Sequence, residues 1–202
     1  MDNNSKDDTS TVARTCAQDC PEIRVILESK QGKGHAVATG MRAATGKVRL
    51  FMDADHSTTI DHYDRFVPEL ERGADVVIGS IAVEGSSIKH EGREPLWRVI
   101  LGKLGNKWIQ VFAIWGIHDT QRGFKIFTAE AADAIFPRLT VFGWGFDVEV
   151  LAIARTRDLT IKEMPVIGWN NDPNSKVNVW AYPKVLLQTL TVFWNRITRR
   201  YR

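Results

Sequence analysis

The sequence has no apolar run near the roughly 18 residues that a membrane span requires. Its longest candidates, Trp108–Ile117 and Val185–Trp194, are broken by Gln110 and Gln188. Cysteine is scarce: Cys16 and Cys20 are the only two in 202 residues. That is too few for a disulfide framework, and zinc would need a second pair. The expectation is two buried or half-buried thiols on one helix, in a reducing compartment. A charge excess is also lacking, because 27 Lys+Arg against 24 Asp+Glu leaves only +3, and nucleic acid is not expected as a partner. Met1-Asp2-Asn3-Asn4-Ser5 lacks the charged-then-apolar order of a secretory signal. With 44% hydrophobic and 25% charged residues, disorder and fibrous repeats are excluded too. A secreted or polytopic protein is therefore not expected.

What is present is an alternation of helical and short apolar strand patterns joined by short turns. Asp2–Asp8 is a polar turn opening a helix over about Thr9–Cys20, and Arg24–Leu27 reads as a short buried strand. Gly32-Lys33-Gly34 then opens a helix to about Thr45. Val48–Met52 is a strand running into Asp53-Ala54-Asp55, Tyr63–Glu71 a helix, and Ala74–Gly79 a strand. Ile81–Pro95 is a long polar loop, and Leu96–Trp115 a helix with one apolar face. Strand Gly123–Thr128, helices Ala129–Phe136 and Phe146–Arg155, and strand Ile161–Trp169 follow. The pattern predicts one α/β domain with a mostly parallel central sheet and helices on both faces. The domain is expected over residues 1–180, and residues 181–202 form an amphipathic basic C-terminal helix. No strand precedes the first turn, so either the sheet is one or two strands short or Met1 is not the natural start.

Asp53-Ala54-Asp55 is the strongest local chemical signal. Two carboxylates at the C-terminal end of a buried strand offer hard oxygen ligands to Mg²⁺ or Mn²⁺, which can bridge to a diphosphate. Lys33 between two glycines offers backbone N–H groups and a cation to phosphate. His56 and Ser57 follow the acidic pair and are candidate third ligands. His35, His62, His90 and His118 show no ligand spacing.

Seven motifs in one order carry a resemblance. Asp2–Thr9 is similar to a V-D-D-G-S-x-D-x-T turn, Gln31–Ala36 to N-x-G-K-G-x-A, and Val76–Ser80 to V-V-I-G-S-R. Phe51–Asp55 looks like a metal and nucleotide-diphosphate motif, and Asp119–Lys125 is close to D-T-Q-x-G-F-K. Gly145–Glu149 and Ser175–Val177 complete the order. Over about residues 2–180 the chain resembles family 2 glycosyltransferases of the GT-A (Rossmann-like) fold, within them the enzymes that load dolichyl or polyprenyl phosphate with a sugar. The family's opening strand and P-x-Y-N-E loop have no counterpart, Asn3 stands for an Asp, and Ile81 stands for an Arg.

The resemblance implies an inverting, metal-dependent hexosyltransferase, with glucose first and mannose second. The donor would be a nucleotide sugar, UDP-hexose before GDP-hexose, and the acceptor a polyprenyl phosphate on the cytoplasmic face of a membrane. Asp53 and Asp55 would hold the metal. Asp2, Asn3, Lys33 and Asp53 would bind the nucleotide sugar. Arg98, Arg122 and Lys125, with Lys89, would hold the acceptor phosphate. Asp55, Asp147 and Arg98 would be the catalytic set, Asp147 matching the position of a base. Trp180, Tyr182, Trp194 and the basic residues Lys184, Arg196, Arg199, Arg200 and Arg202 suit a membrane interface, with this segment docking there instead of finishing the core. Two other readings stand beside this one: a non-catalytic remnant or binding module of the same fold, and a soluble transferase with a hydroxyl acceptor.

Overall fold

A computed structural model describes residues 1–89, 96–170 and 181–202, without the side chains at 89, 96–99, 181 and 182. In chain order the elements are α1 (Thr9–Asp19), α2 (Lys33–Ala43), β1 (Val48–Met52), α3 (His62–Glu71), β2 (Val76–Ser80), β3 (Ile88–Lys89) and α4 (Leu96–Phe112). They continue with β4 (Phe124–Thr128), α5 (Ala129–Ile135), a 3₁₀ turn, α6 (Phe146–Thr156), β5 (Ile161–Pro165), β6 (Trp169–Asn170) and α7 (Ala181–Ile197).

The main sheet has the order β1-β4-β2-β5. β4 is antiparallel to both neighbours, and β2 and β5 are parallel, so β1, β2 and β5 share one direction. The expected mostly parallel sheet is present, with β4 as its reversed strand. That reversal positions the site, because the register sets Met52 opposite Phe124 and brings the start of β4 to the end of β1.

Alternation along the strands separates two cores. Phe66 of α3 packs with Val77, Phe124 and Ile126 on one face. On the other, Phe51, Val76, Ile78 and Phe127 meet α2, α5, α6 and α7. Each face is thus covered by helix, as an α/β sheet buried on both sides requires.

Three expectations need correction. Arg24–Leu27 forms no strand; its pairing is one parallel bridge, Leu27 to Asp2. Leu27 is exposed and α1 buries no residue, because no strand of the main sheet pairs with this segment. Cys16 is consequently exposed. The long last strand is two short ones, β5 and β6, which join different sheets.

The C-terminal segment finishes the core, contrary to expectation. Val185 packs against the core and Thr189, Val192 and Asn195 are buried, a stripe at helical spacing. Beyond α7, Tyr201 is fully buried and its hydroxyl donates to Glu149 Oε1 at 2.6 Å. Glu149, also buried, accepts from Thr140 N, Thr140 Oγ1 and Val141 N, and Asn195 Nδ2 donates to Thr140 Oγ1. Thr140 and Val141 come from the loop before α6, Asn195 from the end of α7 and Tyr201 from the turn beyond it, so the network clamps α7 onto α6. Trp180 and Tyr182, expected in the interfacial set, lie outside the described side chains.

Burial, and then the Glu149 carboxylate, push the Tyr201 hydroxyl well above its ordinary value of 10.0. A raised folded-state pKa means this stabilisation is complete below pH 10 and is lost as pH rises beyond it. Tyr201→Phe is expected to cost about 1–3 kcal/mol in urea unfolding at neutral pH. The same variant flattens the alkaline arm of the stability profile above about pH 10.

Candidate active site

β1 delivers Met52 to the sheet end, and Asp53 follows with its N–H donating to Gly123 O at 2.8 Å. The Asp53 carboxylate lies against Gly123 so closely that a Cβ there would fall 1.9 Å from Oδ2. Gly123 is therefore the floor beneath Asp53. Asp55 is exposed, and its Oδ1 accepts the Ser57 N–H at 3.0 Å in a tight turn.

Lys33 enters from α2. Its Nζ is 2.8 Å from Asp53 Oδ1 and 3.8 Å from Asp147 Oδ2. Burial pushes the Lys33 ammonium down, but Asp147 and Asp53 outweigh it and leave its pKa above the usual lysine value. The flanking glycines serve packing. A Cβ on Gly34 would meet Phe142 Cα at 2.7 Å, and the Gly34 N–H donates to Phe142 O at 3.1 Å. That N–H is thus spent on protein, which corrects its expected place in a phosphate cradle.

Asp147 lies on the first turn of α6 and is buried. Its Oδ1 accepts from Lys125 Nζ at 2.6 Å. Lys125 is fully buried on β4, also donates to Arg122 O, and lies 5.2 Å from the Phe51 ring centroid. Burial pushes its pKa down, against the pull of Asp147. Lys125 is therefore closed to an acceptor phosphate. Its place in the fold is beneath Asp147, because residues on this face of β4 point into the helix layer.

Arg122 is also engaged: Nε donates to Asp119 Oδ2 at 2.7 Å and the guanidinium lies 4.4 Å from the Trp169 ring centroid. Asp119 Oδ2 accepts from the Ile81 N–H as well. The backbone N–H groups of His118 and Asp119 donate to Glu163 of β5. Asn3 uses its whole carboxamide on backbone: Nδ2 donates to Glu28 O and Lys30 O, and Oδ1 accepts from Gly32 N. An aspartate could not make those two donations. Asp2 is buried, and hydrogen bonds from Ser5 hold its carboxyl below the usual range.

The structure thus brings Lys33, Asp53, Lys125 and Asp147 together, with Asp55 two residues from Asp53. Arg122 stands beside Asp119, while Asp2 and Asn3 organise the N-terminal turn. Arg98 lies on α4 and Lys89 on β3, both with side chains outside the described residues, as is all of Ser175–Val177. Glu163, Trp169 and Gln188, whose Oε1 accepts the Gly145 N–H at 2.7 Å, escaped the sequence reading. Glu163 carried one faint signal, a carboxylate within a strand; Gln188 carried none. His62, without ligand spacing, is structural: its Nε2 accepts the Ile167 N–H at 3.0 Å.

Among the described residues no three His, Cys, Asp or Glu side chains converge as a metal cage. Asp53 and Asp55 still fit Mg²⁺ or Mn²⁺ as donors, because such ions are held by one or two carboxylates with substrate phosphates and water.

The glycosyl transferase family 2 model matches residues 1–136. The chain belongs to that family. A dolichyl-phosphate beta-glucosyltransferase of Trichomonas vaginalis is 34% identical over 199 residues, covering 95% of this chain and 58% of its own. The human dolichyl-phosphate beta-glucosyltransferase is 32% identical, covering all of this chain and 64% of its own length. The chain therefore spans about three fifths of these relatives. Glucosyl-3-phosphoglycerate synthase from Mycobacterium tuberculosis, solved with Mn²⁺, UDP-glucose and glycerol 3-phosphate, has a TM-score of 0.65 at 17% identity. It covers 97% of this chain and 67% of its own, and the likeness is one of fold. The family 2 α/β fold inferred from the motifs is thus present.

In this family 2 site, Lys125→Met would strand the buried Asp147 carboxylate with Lys33 alone. The expected cost is about 3–5 kcal/mol in denaturant unfolding, as for a broken buried pair. Lys125→Met/Asp147→Leu, which removes both charges, is expected to recover most of that loss.

Proposed function

We propose that this chain is the sugar-transferring portion of an inverting enzyme that moves glucose from UDP-glucose to dolichyl or another polyprenyl phosphate. The relatives named for that reaction support the substrate class, and mannose from a GDP donor stands second. The observation that carries the acceptor assignment is the condition of Asp147. It is buried, bonded to Lys125 and faced by Lys33. A general base must reach the proton it takes, and both Asp147 oxygens already face ammonium groups, Oδ1 that of Lys125 and Oδ2 that of Lys33. A phosphate acceptor is already an anion and has no proton to lose, so it suits a site without an accessible base.

In this reading an acceptor phosphate oxygen attacks the anomeric carbon, and the bond from that carbon to the diphosphate breaks. Asp53 and Asp55 would hold Mg²⁺ or Mn²⁺, which supplies positive charge to the departing diphosphate. Lys33 contributes a second positive charge, positioned by Asp53. Lys125 holds Asp147 in place, and Asp147 helps to orient Lys33 in turn. Arg98, on α4, is the proposed partner of the acceptor phosphate.

No helix of the described residues is long and apolar enough to cross a membrane. Two helices instead leave apolar stripes uncovered. Ile100, Leu104, Val111 and Trp115 are exposed on and just after α4, and Leu187, Trp194 and Ile197 on α7. Trp115 is 74% exposed and Trp194 65%. The helices pack together through Phe112 and Phe193, with ring centroids 5.7 Å apart. We read this paired face as the surface that meets the cytoplasmic leaflet carrying the lipid acceptor.

Transfer from UDP-glucose to a short polyprenyl phosphate tests the proposal. Asp55→Asn is expected to lower turnover by about 10²–10³, equivalent to roughly 2.7–4 kcal/mol. Arg98→Ala is expected to raise the acceptor KM about tenfold or more, and Asp147→Asn to cost less than Asp55→Asn. Full activity of Asp55→Asn, or in excess EDTA, overturns metal-assisted transfer. Loss of transfer in a folded Asp147→Asn protein, with Arg98→Ala silent, favours a hydroxyl acceptor. For the surface, Leu187→Ser/Trp194→Ser is expected to abolish flotation with liposomes while leaving thermal unfolding unchanged; equal flotation rejects this face.

A further inference from the structure

A second cluster of charge lies at the opposite end of α6 from Asp147. Arg155 and Arg157 from the end of α6, Arg196 from α7, and Arg199 and Arg202 from the following turn line one cavity of about 900 Å³. Asp158 is the one carboxylate side chain among its lining residues. Arg155 is eight residues along α6 from Asp147, about 12 Å at the helical rise. The cavity is therefore separate from the sugar-transfer site.

Arginine at a helix end often serves to satisfy the last carbonyls or to oppose the helix dipole. Here the carbonyls are already capped by backbone. At the end of α6, Leu159 N donates to Ala154 O and Asp158 N to Arg155 O. At the end of α7, Arg200 N donates to Asn195 O and Arg199 N to Arg196 O. These are two Schellman caps side by side, and both lack the glycine that such caps favour. Asp158 has φ 57° and Arg199 φ 58°, a left-handed conformation that disfavours side chains. A charged side chain is thus kept at each strained position facing the cavity.

Among the described residues none of the five arginines forms an ion pair with an acidic side chain. Arg196 donates to Ala113 O, bridging α7 to the end of α4. The turn that carries Arg199 and Arg202 is fixed by the buried Tyr201. Five arginines lining one cavity, with Asp158 as its one carboxylate side chain, are matched by a ligand with several anionic oxygens.

We propose that this cavity is a binding site for a phosphate-bearing anion, distinct from the donor and acceptor sites. Its chemistry fits the headgroup of an anionic phospholipid or a soluble polyphosphate. Val111 and Ile197, on the rim, are exposed members of the two apolar stripes, so a lipid headgroup here would have its chains beside apolar surface. The proposal does not depend on the identity of the sugar or of the acceptor.

The test uses the full chain and the variant Arg155→Gln/Arg157→Gln/Arg199→Gly, whose glycine suits the left-handed position and keeps the fold. Inorganic pyrophosphate is titrated without divalent metal by calorimetry. Flotation is measured with phosphatidylcholine vesicles with and without phosphatidic acid. Weakening of pyrophosphate binding by about tenfold or more supports a soluble ligand. An equal loss confined to phosphatidic acid vesicles supports a lipid headgroup. If the folded variant matches the wild type with both probes, the proposal is overturned. Binding by Arg155→Lys/Arg157→Lys/Arg199→Lys tests charge alone, and retention by this variant with loss in the neutral one supports the site. Donor turnover in detergent is expected to be unchanged in the neutral variant, whereas Leu187→Ser/Trp194→Ser affects both vesicle types, so failure of the membrane face and failure of the cavity are told apart.

Discussion

Removing an ammonium from water costs several kcal/mol unless a carboxylate meets it in good geometry, and Lys125 is fully buried against Asp147. Each needs the other, and Asp147 together with Asp53 flanks Lys33. β4 brings Lys125 into the helix layer because Lys125 shares the face of Phe127, while Phe124 and Ile126 point to the other side of the sheet. α6 brings Asp147 to the same point only if its first turn is anchored. One ion pair thus couples the facing of β4, the placement of α6 and the charge presented at the sheet end.

That anchoring relies on close backbone approach. Gly34 backs onto Phe142, Gly123 underlies Asp53, and Gly143 and Gly145 lie against Gln188 of α7. A Cβ at Gly143 would sit 2.3 Å from Gln188 Nε2. The turn before α6 is therefore gripped from α2 on one side and α7 on the other. The C-terminal helix belongs to the scaffold of the site, and it also presents an uncovered apolar stripe on its far side. Whatever docks on that stripe bears on a helix two contacts removed from Asp147.

α6 has two chemically different ends. Its first turn holds a carboxylate between two ammonium groups, and its last turn opens on a cavity of arginines. Between them, Glu149 joins Thr140, Val141 and Tyr201. This network ties the chain's final turn to the helix that carries Asp147, so stability of the C-terminus and geometry at the sheet end depend on the same element.

The sequence alone determined the α/β class, the positions of β1, β2 and β4, and the acidic pair at the end of β1. These follow from local periodicity and from motif order, and both are written in neighbouring residues. It also marked Lys33, Lys125 and Asp147 as site residues, since each lies within a motif. Their roles were decided by tertiary structure: Lys125 is turned inward under Asp147, Arg122 is neutralised by Asp119, and Asn3 is committed to three backbone groups. A motif lists charges without saying which of them face one another, because pairing depends on strand direction and on segments distant in the chain. The same holds for α7, whose buried stripe of Val185, Thr189, Val192 and Asn195 is less apolar than its exposed stripe of Leu187, Trp194 and Ile197, so only the packing of α6 and α4 against it decided which one joined the core.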